Sequence, residues 1–318
     1  MQRRLAIGID LGGTQLRAAL IDPAGSIVSR AATATDIAGG PTGVVAQIRR
    51  LCEEIGVVGR RAEIAGVGVS SPGPLDSETG TVIAISTLPG WEGFPLRRVL
   101  EETLGLPVVL ENDGIAAANG EWKFGAARGL RHFVYVTVST GIGGGVAVDN
   151  RLLHGRRGMA GHVGHMVIDP GGARCSCGAL GCFEALASGT ALGREGRAAA
   201  ARPESLLAKR PADTITARDV VAAARQGDAA ALELMAREAA WLGIGFCNLI
   251  HLYSPQRLIM GGGVAQGFDL LQAGIADVMR SSAMAPFRDV EIVPASLGDN
   301  AGLVGAAASI WEREPEAG

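Results

Sequence analysis

The segment DLGGT, residues 10–14, combines a carboxylate, two glycines and a hydroxyl between two apolar runs. A turn built from Gly12, Gly13 and Thr14 leaves backbone N–H groups uncovered, and with the hydroxyl they can bind a phosphate. A carboxylate beside a phosphate is repelled unless a cation lies between them, so Asp10 indicates a nucleotide bound with Mg²⁺. On this segment alone, a glycine hairpin with a capping aspartate explains the pattern equally well.

Two further glycine turns follow. STGIGGG predicts a Thr/Gly turn from Thr140 to Gly145, and its candidate nucleotide-binding residues are Thr140, Gly141, Gly143 and Gly144. The third turn follows a predicted strand at 257–260, where open α/β sheets place ligands, and consists of Gly261, Gly262 and Gly263. Neither a P-loop nor a G-x-G-x-x-G fingerprint occurs. We therefore expect the first two turns to hold the β- and γ-phosphates of ATP and the third to lie against the adenosine.

The segment LENDGIAAA, residues 110–118, places a carboxylate at the end of a predicted buried strand. Phosphoryl transfer to an alcohol needs a base that accepts the hydroxyl proton as the oxygen attacks, and we predict that Asp113 is this base. An aspartate at a strand–helix junction can also serve only as a helix N-cap, but the nearby phosphate turns favour catalysis. Asn112 can donate and accept hydrogen bonds at sugar hydroxyls.

A cysteine-rich segment provides a candidate metal site. Cys175, Cys177 and Cys182 lie within eight residues, and His165 precedes them. Three thiolates and one imidazole form a closed tetrahedral site without an open position for a catalytic water, so the predicted Zn²⁺ is structural. The alternative is three unligated core cysteines, but C-x-C-G-x-x-G-C after a histidine favours the metal.

The elements that must position these residues alternate between strands and helices, which predicts an α/β architecture. Strands are predicted near residues 5–10, 15–21, 64–70, 82–85 and 107–110, and helices near 42–57, 95–104 and 114–123. The chain is predicted to be mostly helical from about 183 to 283, with a mobile loop at 202–214 and a buried helix at 237–255, and to end in a helix at 299–314. Because the hairpin at 134–150 repeats the plan of the first, we expect two similarly built halves facing each other across a cleft.

Composition limits the classes of protein that fit. The 318 residues are 47% hydrophobic, which is sufficient for a large core, and the length indicates two domains or one large one. The net charge is −3. The basic residues are scattered, so we expect no nucleic-acid partner. Asp10 interrupts the N-terminal apolar run, and no uncharged run is long enough to cross a bilayer. We therefore expect no signal peptide, no membrane partner and a cytoplasmic location.

The order DLGGT, STGIGGG, MGGG is similar to that of the hexokinase–actin–heat-shock ATPase superfamily. GH followed by CSCGALGCFE, together with SSPGPLD, LENDGIAAA and LGDNAGLVGAA, resembles the ROK family of bacterial repressors and sugar kinases over essentially the whole chain. The resemblance implies a ribonuclease-H-like or actin-like ATPase fold. Its expected domains are a small one at 1–120, completed by a helix at about 299–318, and a larger one at 121–298 that carries the zinc loop. It further implies an ATP-dependent kinase for the 6-hydroxyl of glucose, assembled as a homodimer or homotetramer.

Site roles also follow from the resemblance. It implies that Asp113 is the base and that Gly73, Asn112, His165 and Glu184 contact sugar hydroxyls. The zinc loop would then hold His165 and Glu184 in place for that contact. Glu184 can also act as an acid placed at a helix N-terminus, where it interacts favourably with the helix dipole.

Position 162 departs from the glucokinase pattern. Those enzymes generally read G-E-[IVL]-G-H, whereas this chain reads AGHVGH and has His162 in place of the glutamate. A carboxylate only accepts hydrogen bonds, whereas a neutral histidine donates one and accepts one, so the substituents tolerated at sugar C1 and C2 can change. The N-acetylmannosamine kinases of the family are similar here, although SSPGPLD is glucokinase-like. We expect glucose as the substrate, with N-acetylmannosamine or another N-acetylhexosamine as the alternative.

Two other classes of protein fit the sequence less well. A sugar-sensing repressor of the same family would carry a helix-turn-helix domain ahead of the first phosphate strand, which is predicted to begin at about residue 5. A chaperone-like or filament-forming ATPase would hydrolyse ATP without a sugar and would have no use for both an Asn–Asp pair and a Cys/His loop.

Overall fold

The computed structural model describes residues 5–85 and 88–313, and these residues form an α/β protein, as predicted. Their contacts divide the chain into two compact units. Unit 1 comprises Met1–Leu130, Arg151–Gly161 and Ser296–Gly318, and unit 2 comprises Arg131–Asn150 and His162–Ala295. The division expected from the sequence had a boundary at residue 120 and did not assign residues 151–161 to the first domain. The amino-acid composition does not change in this short segment, so the sequence contains no signal for it.

The described residues of unit 1 contain eight strands, of which seven precede α3 and one lies in the excursion at 151–161. Its strands are β1 Leu5–Leu11, β2 Gln15–Ile21, β3 Ile27–Ala34, β4 Ile64–Ser71, β5 Leu75–Asp76, β6 Thr81–Val82, β7 Val108–Asn112 and β10 Arg151–Leu152. Its α-helices are α1 Gly40–Glu54, α2 Leu96–Leu104, α3 Asp113–Phe124 and α9 Ala301–Arg313. Three short 3-10 helices complete it, at Val58–Glu63, Arg156–Gly158 and Gly298–Asn300.

The main sheet of unit 1 has the strand order β3-β2-β1-β4-β7. β1 and β2 form an antiparallel hairpin, whereas β1, β4 and β7 run parallel. One face of the sheet packs on α1 and α2 through the apolar residues of alternate strand positions, such as Ile7, Val67 and Leu110. The opposite face packs on α9 through Ala6, Val109 and their neighbours. The parallel strands therefore have both faces covered, and their carboxyl ends meet at one edge.

Glycines allow α9 to lie unusually close to its neighbours. A Cβ at Gly305 would collide with the carbonyl oxygen of Ala116 in α3, and one at Gly68 would collide with the carbonyl oxygen of Ala306. The backbone of α9 therefore contacts both α3 and the sheet directly, and this packing fixes the orientation of α3.

Unit 2 is built on a second sheet. Its strands are β8 Phe133–Val138, β9 Ile142–Val148, β11 Arg257–Gly261 and β12 Glu291–Pro294, and they lie in the order β9-β8-β11-β12. β8 and β9 form an antiparallel hairpin, and β8, β11 and β12 run parallel. The α-helices are α4 Phe183–Ala187, α5 Gly189–Ala199, α6 Ala217–Arg225, α7 Ala229–Tyr253 and α8 Phe268–Ser282. Short 3-10 helices lie at Val163–His165, Leu206–Lys209, Ala212–Thr214, Gly263–Gly267 and Ala285–Phe287.

Several elements differ from the sequence-based expectation. β3 and β12 were not predicted, because their residues are mostly exposed or half-buried and lack a long apolar run. The strand predicted at 82–85 is reduced to Thr81–Val82, and the loop predicted at 202–214 contains two short 3-10 helices. The helix predicted at 237–255 is the last part of α7. Residues 314–318 of the predicted terminal helix lie outside the described residues.

No helix in the described ranges combines the length and the apolar composition that a membrane crossing requires.

Candidate active site

The first glycine turn joins β1 to β2 and consists of Gly12, Gly13 and Thr14. The N–H of Gly12 donates to the carbonyl of Gln15 at 3.0 Å, which closes the turn. A Cβ at Gly12 would lie 2.9 Å from that carbonyl oxygen, so a larger residue would open the turn. The Thr14 side chain is exposed. The tip of the hairpin therefore presents backbone and a hydroxyl without obstruction, as a phosphate-binding turn requires.

Asp10 lies two residues before this turn, and its carboxylate accepts hydrogen bonds from two side chains. Arg17 Nη2 donates to Asp10 Oδ2 at 2.7 Å, and Ser70 Oγ donates to Oδ1 at 3.0 Å. Burial raises the pKa of Asp10, and the Arg17 guanidinium partly opposes this effect. Arg17 was not singled out from the sequence. It could have been found, because Asp10 and Arg17 flank the turn symmetrically and are paired in the hairpin register.

Asp113 lies at the first position of α3, immediately after the buried strand β7. Its Oδ1 accepts a hydrogen bond from the N–H of Gly114 at 2.8 Å. Burial raises the pKa of Asp113 to about 6, and the negative charge of Asp10 contributes in the same direction. The group is thus a carboxylate at neutral pH whose proton affinity is higher than that of an ordinary aspartate, which suits a general base.

The N-cap of α3 is Asn112 rather than Asp113, contrary to the alternative role considered for the aspartate. Asn112 Oδ1 accepts from the Gly114 N–H at 3.0 Å, and its side chain also hydrogen-bonds the Asp113 carboxylate. The extended backbone of Asn112 is what an N-cap needs, so the last residue of β7 is also the residue that caps α3. Gly73 lies in the loop after β4, joined to Pro74 by a cis peptide bond.

The second glycine turn joins β8 to β9 and consists of Ser139, Thr140 and Gly141. Gly143 and Gly144 lie in β9 and pair with Thr137 and Val136, so the predicted turn of 140–145 was too long. A Cβ at Gly144 would lie 2.6 Å from the Tyr135 carbonyl oxygen, which explains a glycine in the strand. The two hairpins therefore share a turn length of three residues.

The third glycine turn follows β11. Gly261 is the last residue of β11, Gly262 has a φ of 87°, and Gly263 begins a 3-10 helix. A Cβ at Gly262 would collide with the carbonyl oxygen of Val138 at the end of β8. The second and third turns are therefore in direct contact within unit 2.

The four predicted zinc ligands lie together. The ligand atoms of His165, Cys175, Cys177 and Cys182 are all within 4.8 Å of one another. Sγ of Cys177 lies 3.6 Å from Sγ of Cys182, and Sγ of Cys175 lies 3.7 Å from Nδ1 of His165. A zinc ion with Zn–S bonds of about 2.3 Å in a tetrahedral site needs sulfur atoms about this far apart. The donor set and its dimensions fit a structural zinc ion.

Glu184 connects this loop to the second hairpin. Its Oε2 accepts from the Ile142 N–H at 3.0 Å, and its Oε1 accepts from Ser176 Oγ at 3.3 Å. A Cβ at Gly141 would collide with the Glu184 carboxylate, so the glycine is needed for this approach. Glu184 also lies in the first turn of the short helix α4.

The rings of His162 and His165 lie in a stacked arrangement with centroids 6.1 Å apart. Both residues are exposed; His162 precedes a short 3-10 helix, and His165 is the last residue of that helix. The predicted site residues are thus divided between the units. Unit 1 carries Asp10, Gly12, Gly13, Thr14, Gly73, Asn112 and Asp113, and unit 2 carries the others.

Comparison with known proteins places this geometry in context. A family model, that of the ROK family, matches residues 6–313. A glucokinase from Thermotoga maritima is 37% identical over 98% of this chain and 99% of its own length. An N-acetylmannosamine kinase from Yersinia pseudotuberculosis is 33% identical over 96% of this chain and 98% of its own length.

A solved structure extends the similarity to three dimensions. The crystal structure of a ROK family glucokinase from Streptomyces griseus, in complex with glucose and AMPPNP, is similar with a TM-score of 0.85 and 36% identity. The match covers 97% of this chain and 99% of the Streptomyces griseus chain. The predicted fold of the actin-like ATPase type is confirmed by this similarity.

Proposed function

Because the chain belongs to the ROK family, we propose that it is an ATP-dependent sugar kinase that phosphorylates the 6-hydroxyl of glucose. The observation that carries the proposal is the carboxylate of Asp113, positioned at the β7–α3 junction with a pKa of about 6. The similarity to glucokinases along nearly the full chain also supports the proposal, and the structure of one of these glucokinases was solved with glucose and AMPPNP.

In the proposed reaction, Asp113 accepts the proton of the sugar 6-hydroxyl. The hydroxyl oxygen forms a bond to the γ-phosphorus of ATP, the bond from that phosphorus to the β–γ bridging oxygen breaks, and ADP leaves. Asn112 keeps the carboxylate oriented, because its side chain binds both the Asp113 carboxylate and the start of α3. With a pKa slightly below the working pH, Asp113 is ionised before the reaction and is still basic enough to accept the hydroxyl proton.

The glycine turns bind the nucleotide in this proposal. The turn Gly12–Thr14 and the turn Ser139–Gly141 offer backbone N–H groups and threonine hydroxyls to the phosphates, and Gly261 to Gly263 lie against the adenosine. Asp10 is the residue that would hold Mg²⁺, which would neutralise the negative charge of the phosphates.

Zinc would have a structural role. His165, Cys175, Cys177 and Cys182 would hold it, and the ion would fix the loop that ends at Glu184. Glu184 is tied to β9 through the Ile142 N–H, so a fixed loop also fixes the second hairpin. Through this connection we propose that zinc holds His165 and Glu184 in position for sugar hydroxyls.

Sugar preference depends on His162 in this proposal, and an N-acetylhexosamine is the alternative substrate. The observation that favours the alternative is a histidine where glucokinases generally carry a glutamate, together with 33% identity to an N-acetylmannosamine kinase. A ring that donates one hydrogen bond can bind an acetamido oxygen, which a carboxylate cannot. The homo-oligomeric assembly and the cytoplasmic location stay predictions.

An ADP-release assay over a panel of hexoses tests the function. Glucose, mannose, N-acetylglucosamine and N-acetylmannosamine are compared at equal ATP and Mg²⁺, with Asp113→Asn as the matched inactive control. We expect the highest kcat/KM with glucose. A higher kcat/KM with N-acetylmannosamine would select the alternative substrate, and ATP turnover that does not depend on added sugar would contradict both.

A further inference from the structure

Residues 154–160 form a loop near the end of the excursion that belongs to unit 1, and we call it the 154–160 loop. The N–H of Ala160 donates to the carbonyl of His154 at 2.9 Å, which closes the loop on itself. Gly161 follows with a φ of 84°, and the next residue is His162, where unit 2 resumes. Contacts that hold this loop therefore also fix the backbone that enters His162, the residue proposed to set sugar preference.

The first anchor of the loop is an ion pair with a buried acid. Arg157 Nε donates to Asp76 Oδ2 at 2.7 Å, and Asp76 is only 2% exposed. Asp76 Oδ1 accepts from the N–H groups of Glu78 and Thr79, both at 3.0 Å. Removal of Arg157 would leave this buried carboxylate without its cation, which is strongly unfavourable. The ion pair therefore holds the loop on the turn between β5 and β6.

Backbone contacts of the same loop strengthen this anchor. The carbonyl of Arg157 accepts from the N–H of Ser77 at 3.0 Å, and the N–H of Arg157 donates to Glu78 Oε1 at 3.3 Å. The next residue, Gly158, lies so close to the turn that a Cβ there would collide with Ser77 Oγ. The loop therefore contacts the β5–β6 turn through both side chain and backbone.

The backbone conformation of Arg157 indicates that its side chain has a specific use. The residue has a φ of 61° and a ψ of 19°, in the left-handed region that glycine adopts much more readily. A residue with a side chain keeps this conformation only where the surrounding structure holds it. A glycine at this position would relieve the backbone but lose the ion pair with Asp76, so the ion pair accounts for the arginine.

The second anchor joins the loop to the strand that leads to the proposed base. His154 Nε2 lies 2.9 Å from Glu111 Oε2, and Glu111 is only 6% exposed. Glu111 belongs to β7 and is followed directly by Asn112 and Asp113. Both anchors of the 154–160 loop therefore lie on elements of unit 1.

We propose that Arg157 is a positioning residue for sugar preference, which acts by holding the 154–160 loop and thereby His162. The inference rests on the proposed function, in which His162 faces the C1–C2 end of the sugar. Without the ion pair the loop would be less ordered, and a hydrogen bond weakens when its donor is not held in place. The hydrogen bond from His162 to an acetamido oxygen should weaken most, because this acceptor needs the donor that the ring supplies.

Steady-state kinetics of Arg157→Met with glucose and N-acetylmannosamine test the proposal. Methionine keeps much of the length of the side chain and removes its charge. We expect the ratio of kcat/KM for glucose to that for N-acetylmannosamine to rise at least about fivefold, chiefly through a higher KM for N-acetylmannosamine. KM for MgATP should change by less than about twofold, because the glycine turns are not part of the loop.

A double-mutant cycle separates positioning from a general structural role. His162→Ala should by itself raise the same ratio, because it removes the donor. Arg157→Met added to His162→Ala should then change the ratio by less than about twofold, since the residue through which Arg157 acts is already absent. Equal shifts from Arg157→Met with and without His162 would contradict the proposal.

Two further variants complete the test. Asp76→Asn breaks the ion pair from the other side, while its amide oxygen can still accept from the N–H groups of Glu78 and Thr79. It should reproduce the shift of Arg157→Met, and it replaces that variant if circular dichroism shows that Arg157→Met does not fold. Arg156→Met, at an exposed position in the same loop, is the matched control and should keep the wild-type ratio.

An unchanged sugar ratio in the folded ion-pair variants would overturn the proposal, even if their thermal stability were lower. Wild-type protein that releases ADP with no sugar of the panel would instead refute the proposed function, and this inference with it. The two failures are distinguishable, because the first occurs in a protein that phosphorylates sugars and the second in one that does not.

Discussion

The two units repeat one strand plan but differ in the chemistry that they place on it. In each, an antiparallel hairpin with a three-residue turn is followed by two parallel strands. The second position before the turn is Asp10 in unit 1, paired with Arg17, and Thr137 in unit 2, paired with Gly143. The same backbone therefore carries a charged pair in one hairpin and none in the other.

The edge strands β7 of unit 1 and β12 of unit 2 differ in burial. All five residues of β7 are buried, and β7 leads directly into α3 with Asn112 and Asp113 at the junction. None of the four residues of β12 is buried, and β12 ends at Pro294. Burial at the end of β7 is what raises the pKa of Asp113. Repetition of a fold thus supplies two hairpin turns of the kind proposed to bind phosphate, whereas the proposed base lies at a buried junction that the described edge strand of unit 2 does not offer.

Unit 2 carries the Cys/His loop instead. Glu184 joins that loop to the first residue of β9. If unit 1 provides the proposed base and the proposed Mg²⁺ ligand, substitutions in unit 2 should alter the choice of sugar and the stability of the Cys/His loop rather than proton transfer. The predictions below test this division from the largest expected effect to the smallest.

Asp113→Asn should cause the largest loss. The substitution removes the proton acceptor and keeps the shape, so kcat should fall by about 10²–10⁴. Steady-state kinetics with glucose give kcat, and ATP binding by calorimetry should stay near the wild-type value. Turnover close to wild type in a folded variant would assign the base to another residue.

Asp10→Asn and Thr137→Val are a matched pair in the two hairpins. We expect kcat/KM for MgATP to fall by about 10² in Asp10→Asn, because a charged group at the phosphates is lost and Arg17 loses its partner. Thr137→Val should change it by less than about threefold. Equal losses in the two variants would contradict the assigned difference between the hairpins.

His162→Glu should change substrate preference without abolishing activity. A single polar contact of this kind is worth about 1–3 kcal/mol, so the ratio of kcat/KM for glucose to that for N-acetylmannosamine should rise about tenfold to a hundredfold. Both sugars are measured on the same zinc-replete preparation. An unchanged ratio would mean that His162 only packs beside the zinc loop.

Cys177→Ser should release the metal. Elemental analysis should find about one zinc per chain in the wild type and a large loss in the variant, since one of the four ligands is removed. We expect KM for the sugar to rise about tenfold, with a smaller change in kcat, because the loop that holds Glu184 is loosened. Wild-type protein that lacks metal and is fully active would refute the zinc assignment.

The pH profile should show the smallest effect. Asp113 must be deprotonated to act as the base, and its pKa is about 6, so kcat should fall as the pH drops through this value. The expected loss is about twofold at pH 6 and about tenfold at pH 5. A profile that stays flat down to pH 5 would argue against this group.

Local sequence determined the parts of the site that lie within a few residues of one another. The glycine turns, the strand that leads to Asp113 and the Cys/His loop were all predicted from residue type and spacing. These features are local, because turn geometry and ligand spacing depend on the residues that form them. β3 and β12 escaped prediction because partly exposed strands lack a strong periodic pattern. The start of β9 was placed too late in the sequence because glycines suit both turns and tightly packed strands.

Tertiary structure decided the charges and partners of these residues. The pKa of Asp113 depends on burial by elements far away in the chain, and Glu111 meets His154 across 43 positions of sequence. Glu121, fully buried in α3, accepts hydrogen bonds from the backbone N–H groups of Ser296 and Leu297, more than 170 residues away. Sequence determines which groups are available, but desolvation and hydrogen bonding depend on which atoms surround a group after folding, and no local pattern encodes that.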